Sequence, residues 1–193
     1  MLPDLFLLET MSLIREGVTL PAVELLLRSG RPVWASFRRC RHGVCGIHGQ
    51  HWGGPEGDLF PRAVRELERM GVEALLINCL PAGHVPGMLS WLRDLCGLPL
   101  GVYPNLGRYL DPGWKFDEAV GPEEYAHLAS EWRDEGAQIV GGCCGVTPEH
   151  IAAARRALEG TPTGRARKAA DHDSAVSLLD APGRPDGHPA SRP

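Results

Sequence analysis

The chain has 193 residues, of which 43% are hydrophobic, and a formal net charge of −4. This length and composition suit one globular domain with its own core, and the mild acidity provides no basic surface for nucleic acid or an anionic membrane. No apolar run approaches the roughly 18 residues that a membrane span needs, and the first residues lack the basic segment of a secretion signal. We therefore expect a cytoplasmic protein that binds neither nucleic acid nor membrane.

Short apolar strands alternate with amphipathic helices along the chain. Five strands are predicted, at Leu5–Leu8, Val33–Phe37, Glu73–Asn78, Leu98–Tyr103 and Gln138–Val140. A helix follows each strand, with Asp58 and Thr147 as predicted N-caps and with Pro122 and Pro148 in first helical turns. Repeated strand–helix units predict an α/β fold with a parallel sheet. We place this domain at residues 1–159 and expect residues 160–193, which contain no aromatic residue, to form a disordered tail.

Six cysteines are present, and without an export signal they are expected to be free thiols. Cys96 shares a predicted helix face with Leu92 and Met88, so we assign it to the core. Cys143 and Cys144 are adjacent and therefore poor partners for each other's disulfide. Free thiols in a reducing compartment can bind a metal or pack in the core.

Three cysteines directly follow predicted strands. Cys79 comes after the strand that ends at Asn78, and Cys143 and Cys144 come after the last strand and two glycines. The carboxyl ends of parallel strands meet at one edge of a sheet, where active sites lie in barrels and open sheets. Three thiolates with a fourth position open are typical of a catalytic zinc site. From the residues alone, simple packing of these cysteines in the core is the alternative.

The glycine-rich segment around the paired cysteines carries a family resemblance. Residues 141–151, Gly-Gly-Cys-Cys-Gly-Val-Thr-Pro-Glu-His-Ile, closely resemble the signature of the homocysteine S-methyltransferase family. Further segments resemble motifs of that family in the same order: Leu8-Glu9-Thr10, Val33–Phe37, Ile77-Asn78-Cys79, and Val102–Gly107 with Trp114. The resemblance runs from about Asp4 to Leu158.

The resemblance implies a (β/α)8 TIM barrel in which Cys79, Cys143 and Cys144 hold Zn²⁺ and the sulfur of homocysteine is the fourth ligand. It implies methyl transfer to that thiol, or to a related thiol or selenol, and hence a place in methionine biosynthesis. By the same resemblance Glu9 binds the substrate's amino group, although a solvated carboxylate is the alternative. S-methylmethionine or S-adenosylmethionine is the favoured methyl donor, because the motifs look closest to the stand-alone, sulfonium-using members. No catalytic residue beyond the metal site is predicted.

The chain also departs from the family pattern. Its five predicted units resemble only the C-terminal part of the barrel, and the family's early Asp-Gly motif has no counterpart. We therefore expect an incomplete barrel. The alternatives are a fragment with a misplaced start, one half of a split enzyme that needs a missing N-terminal half, and a decayed remnant that binds zinc without turnover. Exposed strand edges also predict a homo-oligomer or an aggregation-prone chain.

A second group of potential metal ligands lies between Arg38 and Gly57, namely Cys40, His42, Cys45, His48 and His51. Their spacing does not match a closed four-ligand zinc motif. We expect a flexible loop over the barrel mouth instead. His84, His127 and His150 are expected to be structural or solvated.

Overall fold

A computed structural model describes residues 3–11, 19–40, 43–45, 51–52, 60–116 and 120–162 of the chain. The elements in chain order are β1 (Phe6–Met11), α1 (Thr19–Leu27), β2 (Val33–Phe37), β3 (Arg39–Cys40), β4 (Gly43–Cys45), β5 (His51–Trp52), α2 (Phe60–Met70), β6 (Ala74–Pro81), α3 (Met88–Leu95), β7 (Leu100–Asn105), β8 (Gly107–Leu110), β9 (Gly113–Phe116), α4 (Pro122–Glu135), β10 (Ile139–Val140) and α5 (Pro148–Leu158). A short 3-10 turn, Ala82–His84, links β6 to α3.

Five strands form one parallel sheet, in the order β1-β2-β6-β7-β10, and a helix follows each of them. This arrangement confirms the predicted α/β fold with five βα units. Close strand packing requires a glycine in β7, since a Cβ at Gly101 would lie 2.5 Å from Leu76 Cδ2 and 3.0 Å from Ile139 Cβ. Within the described residues, β1 and β10 are the outer strands of this sheet, so it does not close into a ring.

The two faces of the sheet have different surroundings because side chains alternate along each strand. Leu75 and Ile77 of β6 are fully buried in the main core, which the helices complete. Their neighbours Ala74 and Leu76 point the other way, into a smaller cluster with Tyr103. We call these the outer and inner faces of the sheet. Each fully buried leucine or isoleucine stabilises the fold by about 2 kcal/mol.

Helix ends follow the predicted signals. Pro122 is the first residue of α4, and Gly136 ends that helix with a φ of 126°. Thr147 precedes α5, which begins at Pro148, and the backbone N–H of Thr147 donates to His150 Nδ1 at 3.2 Å. In the part of the chain described above, no helix combines the length and apolar character needed to cross a membrane.

The segment from Arg38 to Gly57 was expected to be one long loop, but where the structure describes it, it contains three short strands. β3, β4 and β5 form a small antiparallel sheet, and β8 pairs with β9 as a hairpin that the sequence analysis did not anticipate. These strands have only two to four residues, too few to display an alternating pattern. Asp58, His42, His48 and the tail from residue 163 lie outside the described residues, as do the side chains of Cys40, Cys45 and His51.

Candidate metal centre

Three cysteine sulfurs converge at the carboxyl ends of β6 and β10. The Sγ atoms of Cys79, Cys143 and Cys144 all lie within 4.8 Å of one another, and the three side chains are half-buried. Cys143 Sγ and Cys144 Sγ are 3.8 Å apart. Zn–S bonds of ~2.3 Å in a tetrahedral site place sulfur pairs about 3.8 Å apart. This donor set therefore fits a tetrahedral metal ion such as Zn²⁺, with a fourth position left for another ligand.

Cys79 owes its position to an irregularity at the end of β6. The pairing of β6 with β7 shifts register between Asn78 and Pro81, which is the mark of a bulge. Cys79 itself has a φ of 55°, in the left-handed region that non-glycine residues rarely adopt. This bend takes the cysteine out of the regular alternation of the strand and re-aims its side chain.

The paired cysteines lie on the loop between β10 and α5, next to the end of β7. Cys143 donates its backbone N–H to the Pro104 carbonyl at 3.0 Å, and the Cys144 carbonyl accepts from the Leu106 N–H at 2.9 Å. The loop is also tightly folded on itself, since a Cβ at Gly142 would lie 2.2 Å from Val146 Cγ1. These bonds hold two consecutive side chains beside the end of β7.

The hairpin β8–β9 packs against the same loop. A Cβ at Gly145 would lie 2.6 Å from Phe116 Cδ1, and Gly145 has a φ of 84°. Phe116 remains 53% exposed. The hairpin therefore covers one side of the cysteine loop while leaving an aromatic ring at the surface next to it.

Asn105 connects the two cysteine segments. Its Nδ2 donates to Cys79 Sγ at 3.8 Å, and its Oδ1 accepts from the backbone N–H of Cys144 at 3.3 Å. The side chain is only 3% exposed. Sequence reasoning quoted Asn105 within a motif but gave it no role. The available signal was a polar side chain at the carboxyl end of an otherwise buried strand.

A chain of buried hydroxyl and amide groups crosses the inner face below the cysteines. Tyr103 donates to Ser36 Oγ at 2.5 Å, and Ser36 donates to Asn78 Oδ1 at 2.7 Å. Burial raises the pKa of Tyr103, and the negative charge of Glu9 acts in the same direction. The tyrosine is therefore a neutral hydrogen-bond donor. Sequence reasoning did not select Ser36 or Tyr103 individually, although both interrupt apolar strands.

The thiols of Cys79 and Cys143 have different pKa values. The hydrogen bond from Cys143 lowers the pKa of Cys79 to about 6, with smaller contributions from the positive charge of Arg38 and from Asn105. The same hydrogen bond raises the pKa of Cys143, because its proton is held by Cys79. A Cys79 thiolate at neutral pH beside the protonated Cys143 is a strong attractor for a thiophilic cation.

The remaining predicted residues are placed as follows. Glu9 lies within β1 rather than after it and is exposed, with its charge near Tyr103. Cys96 is 1% exposed in the main core, which confirms its structural assignment. His127 is exposed and lies 3.4 Å from Glu131, His84 is exposed, and His150 is buried and bonded at the start of α5.

The model of the homocysteine S-methyltransferase family matches residues 2–158. The chain belongs to this family. Homocysteine S-methyltransferase YbgG of Bacillus subtilis (strain 168) is 39% identical over 85 residues, which cover 44% of this chain and 27% of that protein. Homocysteine S-methyltransferase 1 of Brassica oleracea var. italica is 30% identical over 163 residues, covering 81% and 47%.

Solved structures of this family agree with the fold. The apo form of the homocysteine methyltransferase MmuM from Escherichia coli superposes with a TM-score of 0.56 at 28% identity. The match covers 80% of this chain and 50% of MmuM. The five-unit sheet therefore corresponds to part of a TIM-barrel methyltransferase, and the chain spans about half the length of such relatives, or less.

Proposed function

We propose that this chain carries the zinc site of a methyltransferase that methylates the thiol of homocysteine, or a related thiol or selenol. With homocysteine the product is methionine. The observation that supports this most directly is the convergence of Cys79, Cys143 and Cys144 at the catalytic edge of the sheet in a member of this family. Three sulfur ligands with an open fourth position are the arrangement of catalytic zinc sites, whereas structural sites are closed.

Zinc bound to these cysteines supplies one chemical property, which is to keep a fourth sulfur ligand deprotonated at neutral pH. The chain's own residues hold the site in shape. Asn105 fixes the separation of Cys79 from Cys144, and the partly buried position of the sulfurs limits access of water. The buried bond from Tyr103 to Ser36 braces the strands beneath.

The proposed reaction is a displacement at carbon. The substrate thiol releases its proton to solvent, and its sulfur forms a new S–C bond to the methyl group. The methyl–sulfur bond of the donor breaks, and its electron pair stays on the donor sulfur. A sulfonium donor, S-methylmethionine or S-adenosylmethionine, thereby leaves as a neutral thioether. Glu9, which lies near Tyr103 on β1, is the proposed partner of the substrate's amino group.

Full activity in this proposal needs the rest of a barrel. Among the described residues no strand pairs with the outer edges of β1 and β10, and the inner-face residue Leu7 is 41% exposed. A groove of about 600 Å³ lies between β10 and α5, with Ile139, Val140, Ile151 and Leu158 in its lining. We propose that three further βα units, on the same polypeptide or on a separate one, pair with these edges and complete the site.

A second candidate function is zinc binding without turnover. The same half-length match to MmuM favours it, because the cysteines and the substrate clamp need not lie on the same half of a barrel. Zinc content alone does not separate the two candidates, since both predict one ion per chain.

The test is a paired measurement on the zinc-loaded chain. Bound zinc is first counted by mass spectrometry of the metal, for the wild type, for Cys143→Ala and for the matched control Cys96→Ala. Methyl transfer to homocysteine is then assayed with each sulfonium donor, both alone and with the first three βα units of a relative added. Zinc bound by the wild type and Cys96→Ala but not by Cys143→Ala supports the metal site. Turnover in either assay supports the methyltransferase, whereas zinc binding with no turnover in both favours the second candidate.

A further inference from the structure

Arg38, directly after β2, holds a charged side chain in an unusual setting. It is half-buried, and its Nε is buried without a hydrogen-bond partner among the described residues. Arg93 and Arg133 also have a buried, unpaired Nε, but their other nitrogens donate to backbone carbonyls. No described residue accepts a hydrogen bond from Arg38. The Nε donor is removed from water and is costly to leave unpaired. The other guanidinium donors of this half-buried side chain bond no described residue, so the group is suited to a ligand.

The neighbours of Arg38 fix the direction of its side chain. The Phe37 and Phe60 rings meet edge to face at 5.2 Å on the outer face. Arg39 also points outward, with its Cζ 4.6 Å from the centre of the Phe60 ring. Successive side chains of extended backbone alternate in direction. Arg38, between two outward residues, therefore points to the inner face, as does Ser36, which bonds Tyr103 there.

Strand register brings Arg38 to the cysteines. Phe37 of β2 pairs with Ile77 of β6, so the next positions along the two strands are Arg38 and Asn78, and Cys79 follows. The positive charge of Arg38 acts on the sulfur of Cys79. An unpaired guanidinium thus lies beside the metal centre, on the same face of the sheet.

We propose that Arg38 binds the carboxylate of an amino-acid thiol whose sulfur occupies the open position of the metal centre. This inference rests on the proposed function and adds a determinant of substrate class. An amino acid carries one positive and one negative group, and Glu9 and Arg38 offer the complementary pair on β1 and β2. A planar guanidinium recognises a carboxylate through two parallel hydrogen bonds.

The experiment uses calorimetric binding to the full, zinc-loaded chain. Two probes are compared, L-homocysteine and 3-aminopropane-1-thiol, which has the same thiol and amino group but no carboxylate. The variant is Arg38→Gln. The matched control is Arg31→Gln, which removes the same charge from an exposed position before β2, at the opposite end of that strand. Bound zinc is measured in every variant.

We expect Arg38→Gln to weaken homocysteine binding roughly 10-fold to 100-fold, the range for a lost charge-assisted hydrogen bond. Binding of the aminothiol should change less than twofold, and Arg31→Gln should bind both probes as the wild type does. Unchanged homocysteine binding in Arg38→Gln would overturn the inference. Equal weakening of both probes would also overturn it, because Arg38 would then act only on the charge of the sulfurs. If the zinc-loaded wild type binds neither thiol, the inference about Arg38 fails, whereas the proposed function is decided separately by the turnover assays with and without the added βα units.

Discussion

Asn105 and Cys79 are joined by an N–H···S hydrogen bond of 3.8 Å, although they lie on different strands of the sheet. The other end of the same amide accepts the backbone N–H of Cys144. One buried side chain therefore sets the spacing between the cysteine of the third βα unit and the cysteine pair of the fifth.

Replacing Asn105 by leucine keeps its volume but removes both bonds. We expect Asn105→Leu to weaken zinc binding by about 10-fold to 100-fold, the usual effect of losing a group that orients metal ligands. Competition with a chromogenic chelator measures this affinity. Gln138→Leu is the matched control, because Gln138 is an amide bonded to the Leu100 N–H at the far end of β7. Equal affinities of Asn105→Leu and wild type would contradict the assigned role.

A substitution at Gly142 tests whether the cysteine loop is as tightly packed as the structure shows. An added methyl would lie 2.2 Å from Val146 Cγ1 and 2.5 Å from Val146 Cβ, so the backbone has to move. We expect Gly142→Ala to lower the free energy of unfolding by about 1–3 kcal/mol and to weaken zinc binding. Urea denaturation measures the first effect.

Two further variants separate sterics from other causes. Gly121→Ala has open space around its new methyl and should change stability little. Val146→Ala removes the nearest methyl groups, so combining it with Gly142→Ala should recover part of the lost stability. A double variant less stable than the sum of both single changes would refute the steric explanation.

The buried thiol of Cys96 should make the free energy of unfolding depend on pH in the alkaline range. Burial raises the pKa of this thiol to about 11, above the value of an exposed cysteine. Because the folded state prefers the protonated thiol, its contribution is complete below about pH 9 and is lost as the pH rises to about 11. The loss amounts to about 2–3 kcal/mol. Denaturation curves at several pH values should show the free energies of wild type and Cys96→Ala converging over this range; parallel curves would count against the prediction.

Because β1 and β10 are the outer strands of the described sheet, we expect the chain to self-associate when it is studied alone. Unpaired backbone groups at sheet edges pair readily with other strands, and the partly exposed inner face adds apolar surface. Sedimentation velocity should detect dimers or larger species whose proportion rises with concentration. Adding the first three βα units of a relative should reduce this association. A cooperative monomer at all concentrations would show that the edges are protected in another way.

The parts of this structure that could be predicted from the sequence have a distinctive residue pattern. Val33–Phe37 and the strand ending at Asn78 were predicted because buried parallel strands are nearly continuous in apolar residues. Cys143 and Cys144 were identifiable because two adjacent thiols among glycines are chemically distinctive. Their convergence with Cys79 followed from the rule that parallel strands end at one edge.

The residues that sequence reasoning missed act through contacts between distant segments. Asn105 matters because its two ends reach different strands, and a single polar letter does not reveal its partners. Arg38 acquired its direction from Phe37 and Arg39, whose outward packing depends on α2. The hairpin β8–β9 was missed because its strands are short and its pairing depends on the loop it packs against.

The position of the metal centre between the third and fifth βα units has a consequence for the order in which the protein unfolds. β10 contributes only two residues to the sheet, so the last unit is weakly tied by strand pairing. A metal held by both segments acts as a cross-link that closes a long loop, and such a link restricts the unfolded chain by on the order of 4 kcal/mol. A chelator would therefore release the last helix first, so that amide hydrogens of α5 exchange with solvent while those of β6 and β7 remain protected.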